Sequence, residues 1–149
     1  MAKYSVTAVG DSPTLTTVTT RDLTFKMDQP TAMGGTNEGM TPTEILLGAL
    51  VGCLNVVIHM IAKERGITVN SLKMDAEGEL NPKKFMGRKT DERAGFKSID
   101  VKVALDADTD DATKEAIVAE ALLRCPVSDN LAAATVVNEE LAGAYELVG

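Results

Sequence analysis

Residues 41–65 read TPTEILLGALVGCLNVVIHMIAKER, and this stretch decides the fold. Its first four residues form a capping box with proline at the first helical position, so we expect a helix to begin there. Gly66 is a suitable stop and predicts that the helix ends near Arg65. Apolar side chains surround the helix axis almost completely from Ile45 to Ile61, which indicates a buried central helix rather than a surface one.

Shorter elements lie on both sides of this helix. Alternating apolar and polar residues predict strands at Tyr4–Val9, Thr14–Thr20, Leu23–Met27, Ser71–Leu80 and Lys97–Leu105. Helical patterns follow at about Asp110–Arg124, with an apolar stripe at Ile117, Ala121 and Leu122, and at about Pro126–Ala133. A polar loop is expected at 83–95 and a last strand within Thr135–Val148. With no repeat or linker in sight, the pattern predicts one α+β domain over residues 1–149.

The chain has 149 residues, enough for one domain to bury a core, and a formal net charge of −7. A nucleic-acid binder needs a basic face, and the acidic balance also disfavours anionic membrane surfaces. No stretch is expected to reach the roughly 20 apolar residues of a membrane span, because Asn55 and His59 interrupt the longest one. The N-terminus has no apolar signal-peptide region. We therefore expect a cytoplasmic protein without nucleic-acid or membrane partners.

Two cysteines, Cys53 and Cys125, are the residues of greatest chemical interest. Cytoplasmic thiols are normally kept reduced, so they are either inert core residues or a transient redox pair. Pro126 predicts that Cys125 caps the next helix, where the helix dipole favours a thiolate, as does Arg124 if its side chain turns that way. Cys53 lies among leucine and valine, which should raise its pKa unless a partner group intrudes.

The only histidine, His59, lies six residues beyond Cys53 (59 − 53 = 6), well round the helix from it. A site of Cys, His and Glu ligands would lack convincing spacing, so we expect no metal and no bound cofactor. The seven methionines are expected to serve as adaptable core residues.

Two segments resemble a known family. Residues 34–53, GGTNEGMTPTEILLGALVGC, match a loop with Gly and Pro that leads into a helix carrying a Glu and then a Cys. Residues 124–131, RCPVSDNL, match a Cys-Pro pair after a later helix. Over about residues 23–137 the chain resembles the osmotically inducible protein C / organic hydroperoxide resistance (OsmC/Ohr) superfamily, and within it a less characterised branch.

The resemblance implies an α+β fold in which two long central helices are wrapped by antiparallel-rich sheets. It also implies an intertwined homodimer with active sites between the chains. Members of the peroxidase type reduce organic hydroperoxides with a cysteine pair. Carried over, Cys53 attacks the peroxide and becomes a sulfenic acid, and Cys125 resolves it to a disulfide that an external dithiol reduces.

In these peroxidases an Arg lowers the thiol pKa and a Glu positions the Arg, and the resemblance assigns these roles to Arg21 and Glu44. The family's glutamate lies ten residues before the cysteine, where this chain has Thr43. Glu44 lies nine residues before it (53 − 44 = 9), on the opposite side of the helix at about 100° per residue. Glu44 therefore either serves the site of the other subunit or only caps its own helix.

Three functions stay open at the level of sequence. The first is a thiol peroxidase that reduces organic hydroperoxides through Cys53 and Cys125. The second is a non-catalytic homodimer of the same fold, whose interface pocket of apolar helix residues and methionines binds a small apolar or thiol-reactive molecule. The third is a redox sensor that oxidises stoichiometrically, without turnover.

Overall fold

Two antiparallel sheets and three α-helices make up residues 1–143, the part of the chain that the computed structural model describes. The elements are β1 Thr7–Gly10, β2 Thr16–Thr20, β3 Leu23–Met27, α1 Pro42–Glu64, β4 Val69–Glu79, β5 Ser98–Ala107, α2 Asp111–Arg124 and α3 Pro126–Ala132. This arrangement confirms the predicted α+β class. Residues 135–143 hold no strand, and the rest of the strand expected within Thr135–Val148 lies outside the described residues.

The first strand begins at Thr7, three residues later than the sequence predicts (7 − 4 = 3). Its partner β2 ends at Thr20, just before the turn at Arg21, so by the register of the pair residues 4 and 5 lie opposite the turn rather than opposite a strand. A strand forms only where its backbone can pair with a neighbouring strand, so the alternating pattern of residues 4–6 is not sufficient to make them part of β1.

Helix α1 begins and ends as its caps predict. The Thr41 hydroxyl accepts a bond from the Glu44 backbone N–H at 3.3 Å, and the Thr41 N–H donates to Glu44 Oε2 at 2.7 Å. Gly66, at φ 68°, follows the C-terminal cap Arg65 in the left-handed conformation that stops a helix. Both ends of α1 are therefore fixed by local chemistry rather than by packing.

Only one face of α1 is buried within the chain, so the prediction of a helix buried all round is wrong for the single chain. The buried residues are Leu50, Leu54, Val57, Ile58, Ile61 and Ala62. On the other face Val56 is 56% exposed and Met60 is 47% exposed. The reason is that α2, α3 and β4 all pack against the same side of α1.

By length and composition, α1 is nevertheless long and apolar enough to cross a bilayer, contrary to the expectation from sequence. Asn55 and His59 interrupt its apolar run, but residues 45–62 contain no Asp, Glu, Lys or Arg. The core helix of a globular protein can be equally long and apolar, and the buried face of α1 packs against elements of its own chain.

Strands β4 and β5 form a hairpin that covers the buried face of α1. Leu72 pairs with Leu105 and Met74 pairs with Val103, and these side chains pack against the helical core. On α2, Ile117 and Ala121 are buried as predicted, but Leu122 is 43% exposed. Leu122 lines a cavity between the helices and the hairpin instead of closing the core.

The sheet β1–β3 makes no substantial packing contact with the helices or with the hairpin of its own chain, within residues 1–143. A single parallel bridge from Met27 to Met40 joins it to the start of α1. Leu23 is 58% exposed and Phe25 is 41% exposed, so the apolar face predicted for β3 is not covered by the chain itself.

The loop between β3 and α1 is organised around Asp28, which is fully buried. Its carboxylate accepts bonds from the backbone N–H groups of Gln29, Thr36 and Glu38, and from the Thr36 hydroxyl at 2.7 Å. A Cβ at Gly35 would lie 1.9 Å from the Gln29 carbonyl oxygen, so only glycine permits this closure. The loop is thereby a fixed connection between the first sheet and α1.

Candidate active site

Cys125 lies at the junction of α2 and α3 and is fully buried. Its backbone is extended, at φ −79° and ψ 114°, as expected for a residue before proline. Its Sγ accepts a bond from the Ser128 N–H at 3.3 Å, so the sulfur is the N-cap of α3. The structure thus places Cys125 where the sequence predicts it.

Cys53 lies in the middle of α1 and is half-buried against the cluster that contains Cys125. Both cysteines are free thiols. Burial raises the pKa of the Cys53 thiol above its ordinary value, and the neighbouring Cys125 raises it further. The backbone N–H of Val127, in the first turn of α3, acts in the opposite direction.

Arg124 does not turn toward Cys125. Its guanidinium binds both carboxylate oxygens of Glu64, at 2.7 and 2.8 Å, and also Glu120 Oε1 at 3.0 Å. These two carboxylates raise the pKa of Arg124 further above its ordinary value, Glu64 contributing first. Its charge is therefore paired with acids at the ends of α1 and α2 rather than available to a thiolate.

Within one chain the structure does not bring Arg21 or Glu44 to the thiols. Arg21 occupies the β2–β3 turn at φ 53° and lines a surface hollow with residues 3–6. Among residues 1–143, no hydrogen bond or ion pair joins it to Cys53. Glu44 closes the capping box, where the Thr41 N–H and then the Thr41 hydroxyl hold the pKa of its carboxyl below the ordinary value.

A cavity of about 390 Å³ lies beside the cysteine pair, along α1 toward its N-terminus. Leu50 and Leu131 belong both to this cavity and to the packing around Cys125, so the two regions adjoin. Other walls come from Thr43, Leu46, Leu80, Phe96, Ile99, Val101 and Leu122, and Arg93 stands at the edge. No methionine of the described residues lines this cavity.

Sequence reasoning missed two features of this site. One is the effect of the Val127 N–H on the pKa of Cys53, which arises because α3 packs against α1. The other is the cavity, whose walls come from five separate segments of the chain. Neither feature can be predicted from the local sequence pattern, although Pro126 does predict the start of the helix that contains Val127.

Among residues 1–143, no group of three or more His, Cys, Asp or Glu side chains has the arrangement of a metal site. The His59 Nδ1 atom lies 2.8 Å from the carbonyl oxygen of Asn55, one turn earlier on α1. His59 is exposed and is engaged with its own helix rather than with Cys53.

The sequence profile of the OsmC-like protein family matches residues 35–140, which include α1, the hairpin, α2 and both cysteines. The chain belongs to the OsmC-like family. A curated relative, the uncharacterized protein YmaD of Bacillus subtilis (strain 168), is 31% identical over 65 residues. That match spans 44% of this chain and 43% of YmaD, less than half of either.

Solved structures of OsmC-like proteins share the fold. An OsmC-like protein from Mycoplasma pneumoniae superposes with a TM-score of 0.77 at 22% identity, covering 89% of both chains. An organic hydroperoxide resistance protein OsmC from Legionella pneumophila superposes with a TM-score of 0.59 at 24% identity, covering 88% of this chain and 90% of that one. At these identities the likeness establishes the OsmC-like fold.

Proposed function

We propose that this OsmC-like protein is a thiol-dependent peroxidase that reduces organic hydroperoxides. The observation that carries the proposal is that the only two cysteines, Cys53 from α1 and Cys125 from the α2–α3 junction, meet as free thiols in one packed cluster. Residues so far apart in sequence meet only because the fold packs α3 on α1. Fold relatives named organic hydroperoxide resistance proteins support the same reading.

The reaction divides into three balanced steps. The Cys53 thiolate attacks the outer oxygen of the hydroperoxide, the O–O bond breaks, and an alcohol leaves as Cys53 becomes a sulfenic acid. Cys125 then attacks the Cys53 sulfur, an S–S bond forms, and the sulfenic oxygen leaves as water. An external dithiol reduces the disulfide by exchange and is itself oxidised to a disulfide. No bound cofactor is required, and we place this cycle in the reducing cytoplasm.

Cys53 needs a cation for this chemistry, because burial raises the pKa of its thiol. We assign that role to Arg21, delivered across a homodimer by the β1–β3 sheet, which leaves its apolar face uncovered in the single chain. Glu44 lies on the opposite side of α1 from the Cys53 of its own chain, and it positions Arg21 at the site of the other subunit. Both Thr41 bonds to Glu44 use Oε2, and no bond to Oε1 occurs among the described residues, so Oε1 is a suitable acceptor for a guanidinium.

Peroxide consumption by cysteine variants tests the proposal. With dithiothreitol as reductant and cumene hydroperoxide as substrate, Cys53→Ser should abolish turnover. Cys125→Ser should retain one rapid oxidation per chain, to a sulfenic acid that a dimedone probe traps, and form no intramolecular disulfide. Because the chain has two cysteines only, thiol counting assigns each oxidation state without ambiguity. Unchanged turnover in the Cys53→Ser protein would overturn the proposal.

The cavity favours a second candidate, a non-catalytic protein that binds a small apolar molecule. Its volume of about 390 Å³ and its leucine-rich walls suit an apolar ligand of modest size. Native mass spectrometry of the purified protein distinguishes the two candidates. A retained ligand together with two thiols that survive excess peroxide would favour binding, whereas robust turnover without a ligand would exclude it.

A further inference from the structure

The Arg124 guanidinium joins the end of α2 to the end of α1. It forms a two-pronged bond to Glu64, with Nη1 and Nη2 each donating to a different carboxylate oxygen at 2.7 and 2.8 Å. Nη1 also donates to Glu120, which accepts a further bond from Arg65. Arg65 therefore links the same two helices, but through a single N–H. The next residue along the chain from Arg124 is Cys125.

The bond from Arg124 runs along α1 rather than straight across to it. Glu64 lies eleven residues beyond Cys53 on α1 (64 − 53 = 11), about 16 Å along the axis at 1.5 Å per residue. Cys125 nevertheless belongs to the buried cluster against which Cys53 packs. The Arg124 side chain therefore extends from near the level of the thiols toward the C-terminal turn of α1.

Apolar packing alone does not fix how far α2 lies along α1. The two helices meet through Ile58, Ile61, Ile117 and Ala121, and burial of such surface is non-directional. A bidentate pair between arginine and a carboxylate has a defined geometry and resists sliding. A disulfide requires Cα atoms about 4.4–6.8 Å apart, so a slide of a few ångströms along α1 would separate the sulfurs.

We infer that Arg124 is a positioning residue that sets Cys125 at bonding distance from Cys53. The inference deepens the proposed function and rests on it for its biological role. In the peroxide cycle, the step that depends on Arg124 is attack of the Cys125 sulfur on the Cys53 sulfenic acid. The S–S bond forms, the S–O bond breaks, and water leaves with the thiol proton.

Equilibration with oxidised glutathione measures this positioning without any peroxide. The protein dithiol and one glutathione disulfide give the protein disulfide and two glutathione thiols, and the equilibrium constant reports how effectively one thiol finds the other. R124A should lower this constant at least tenfold. E64Q, a milder change that removes the partner charge, should lower it too, and the double variant should be no worse than R124A.

R65A is the matched control, because it breaks an ion pair between the same two helices without touching the residue next to Cys125. The equilibrium constant of the R65A protein with glutathione should stay within threefold of that of the wild type. Equal effects of R65A and R124A would overturn the inference, and so would an unchanged constant in R124A or no disulfide in the wild type. If the protein turns over no peroxide but R124A still lowers the equilibrium constant with glutathione, the proposed function is wrong and the positioning role of Arg124 stands.

Discussion

At the scale of single residues, the reactivity of Cys53 depends on groups that are distant in sequence. Burial and Cys125 raise the pKa of its thiol, and the Val127 N–H opposes them. The cap at Cys125 was readable from Pro126, because a helix boundary beside a proline is a local property. The groups around Cys53 come together only through the packing of α3 on α1, which leaves no local pattern.

Arg21 provides a prediction at this scale. If it supplies the cation for Cys53, Arg21→Ala should raise the pKa of that thiol by about one unit or more and shift the pH profile of peroxide turnover toward alkaline pH. Turnover at neutral pH should fall at least tenfold. The rate of Cys53 alkylation against pH measures the shift. Arg88→Ala, in the exposed loop before β5, is the control and should leave the profile unchanged.

Asp28 provides a second prediction. The Thr36 hydroxyl, and then the backbone N–H groups of Glu38 and Gln29, hold the pKa of its carboxyl far below the ordinary 3.8. A depressed native pKa means that the carboxylate stabilises the fold above about pH 3.8, and that this contribution is lost as the pH falls toward the native value. Asp28→Asn should therefore lower the melting temperature at pH 7, with a gap to wild type that narrows below pH 3.8.

The control for this prediction is Asp75→Asn. Asp75 is exposed on β4 and lies 3.7 Å from Lys73, a contact of the kind that contributes little. Equal melting temperatures for Asp28→Asn and wild type at pH 7 would show that the carboxylate does not hold the loop.

At the scale of elements, sequence was sufficient wherever a boundary has a local cause. The capping box, Gly66 and Pro126 place the ends of α1 and the start of α3 to within a residue or two. Sequence was insufficient where the end of an element, or the burial of one of its faces, depends on a neighbouring element. Strand β1 is shorter than predicted because β2 turns at Arg21 and gives residues 4 and 5 no partner strand, and α1 is exposed on one side because its neighbours all pack on the other.

The two roles considered for Glu44 can be separated at this scale. Thr41→Ala breaks the cap while Glu44 remains, and should lower the free energy of unfolding by about 1 kcal/mol. Glu44→Ala breaks the same cap and also removes the carboxylate proposed to hold Arg21. Peroxide turnover should therefore fall at least tenfold in Glu44→Ala and change little in Thr41→Ala. Equal turnover in both variants would leave Glu44 as a helix cap only.

At the scale of the whole molecule, two of the apolar surfaces left uncovered among residues 1–143 bear on assembly. One is the outer face of α1, with Val56 and Met60, and the other is the face of β3 with Leu23 and Phe25. Surfaces of this kind mark sites of association. We attribute both to the proposed homodimer, in which a second copy covers them and its sheet reaches the thiols.

A charge placed on the exposed face of α1 tests this assembly. Val56→Asp should convert the dimer to monomer, because an aspartate at 56 would have to be buried without a partner. Sedimentation velocity measures the change. Ala116→Asp, an equivalent substitution on the exposed face of α2, should leave the mass of the assembly unchanged. A monomeric wild-type protein would contradict the proposed interface at once.

The closed loop around Asp28 has a consequence for how the chain reaches its neighbour. Since the first sheet is otherwise barely attached to its own chain, this loop alone sets the direction in which the sheet points away from α1. If Arg21 acts across the homodimer as proposed, Asp28 and Gly35 therefore determine where its side chain is placed. A substitution at either residue would leave the two thiols of each chain in place but would misplace Arg21. Activity would then be lost although both cysteines are intact.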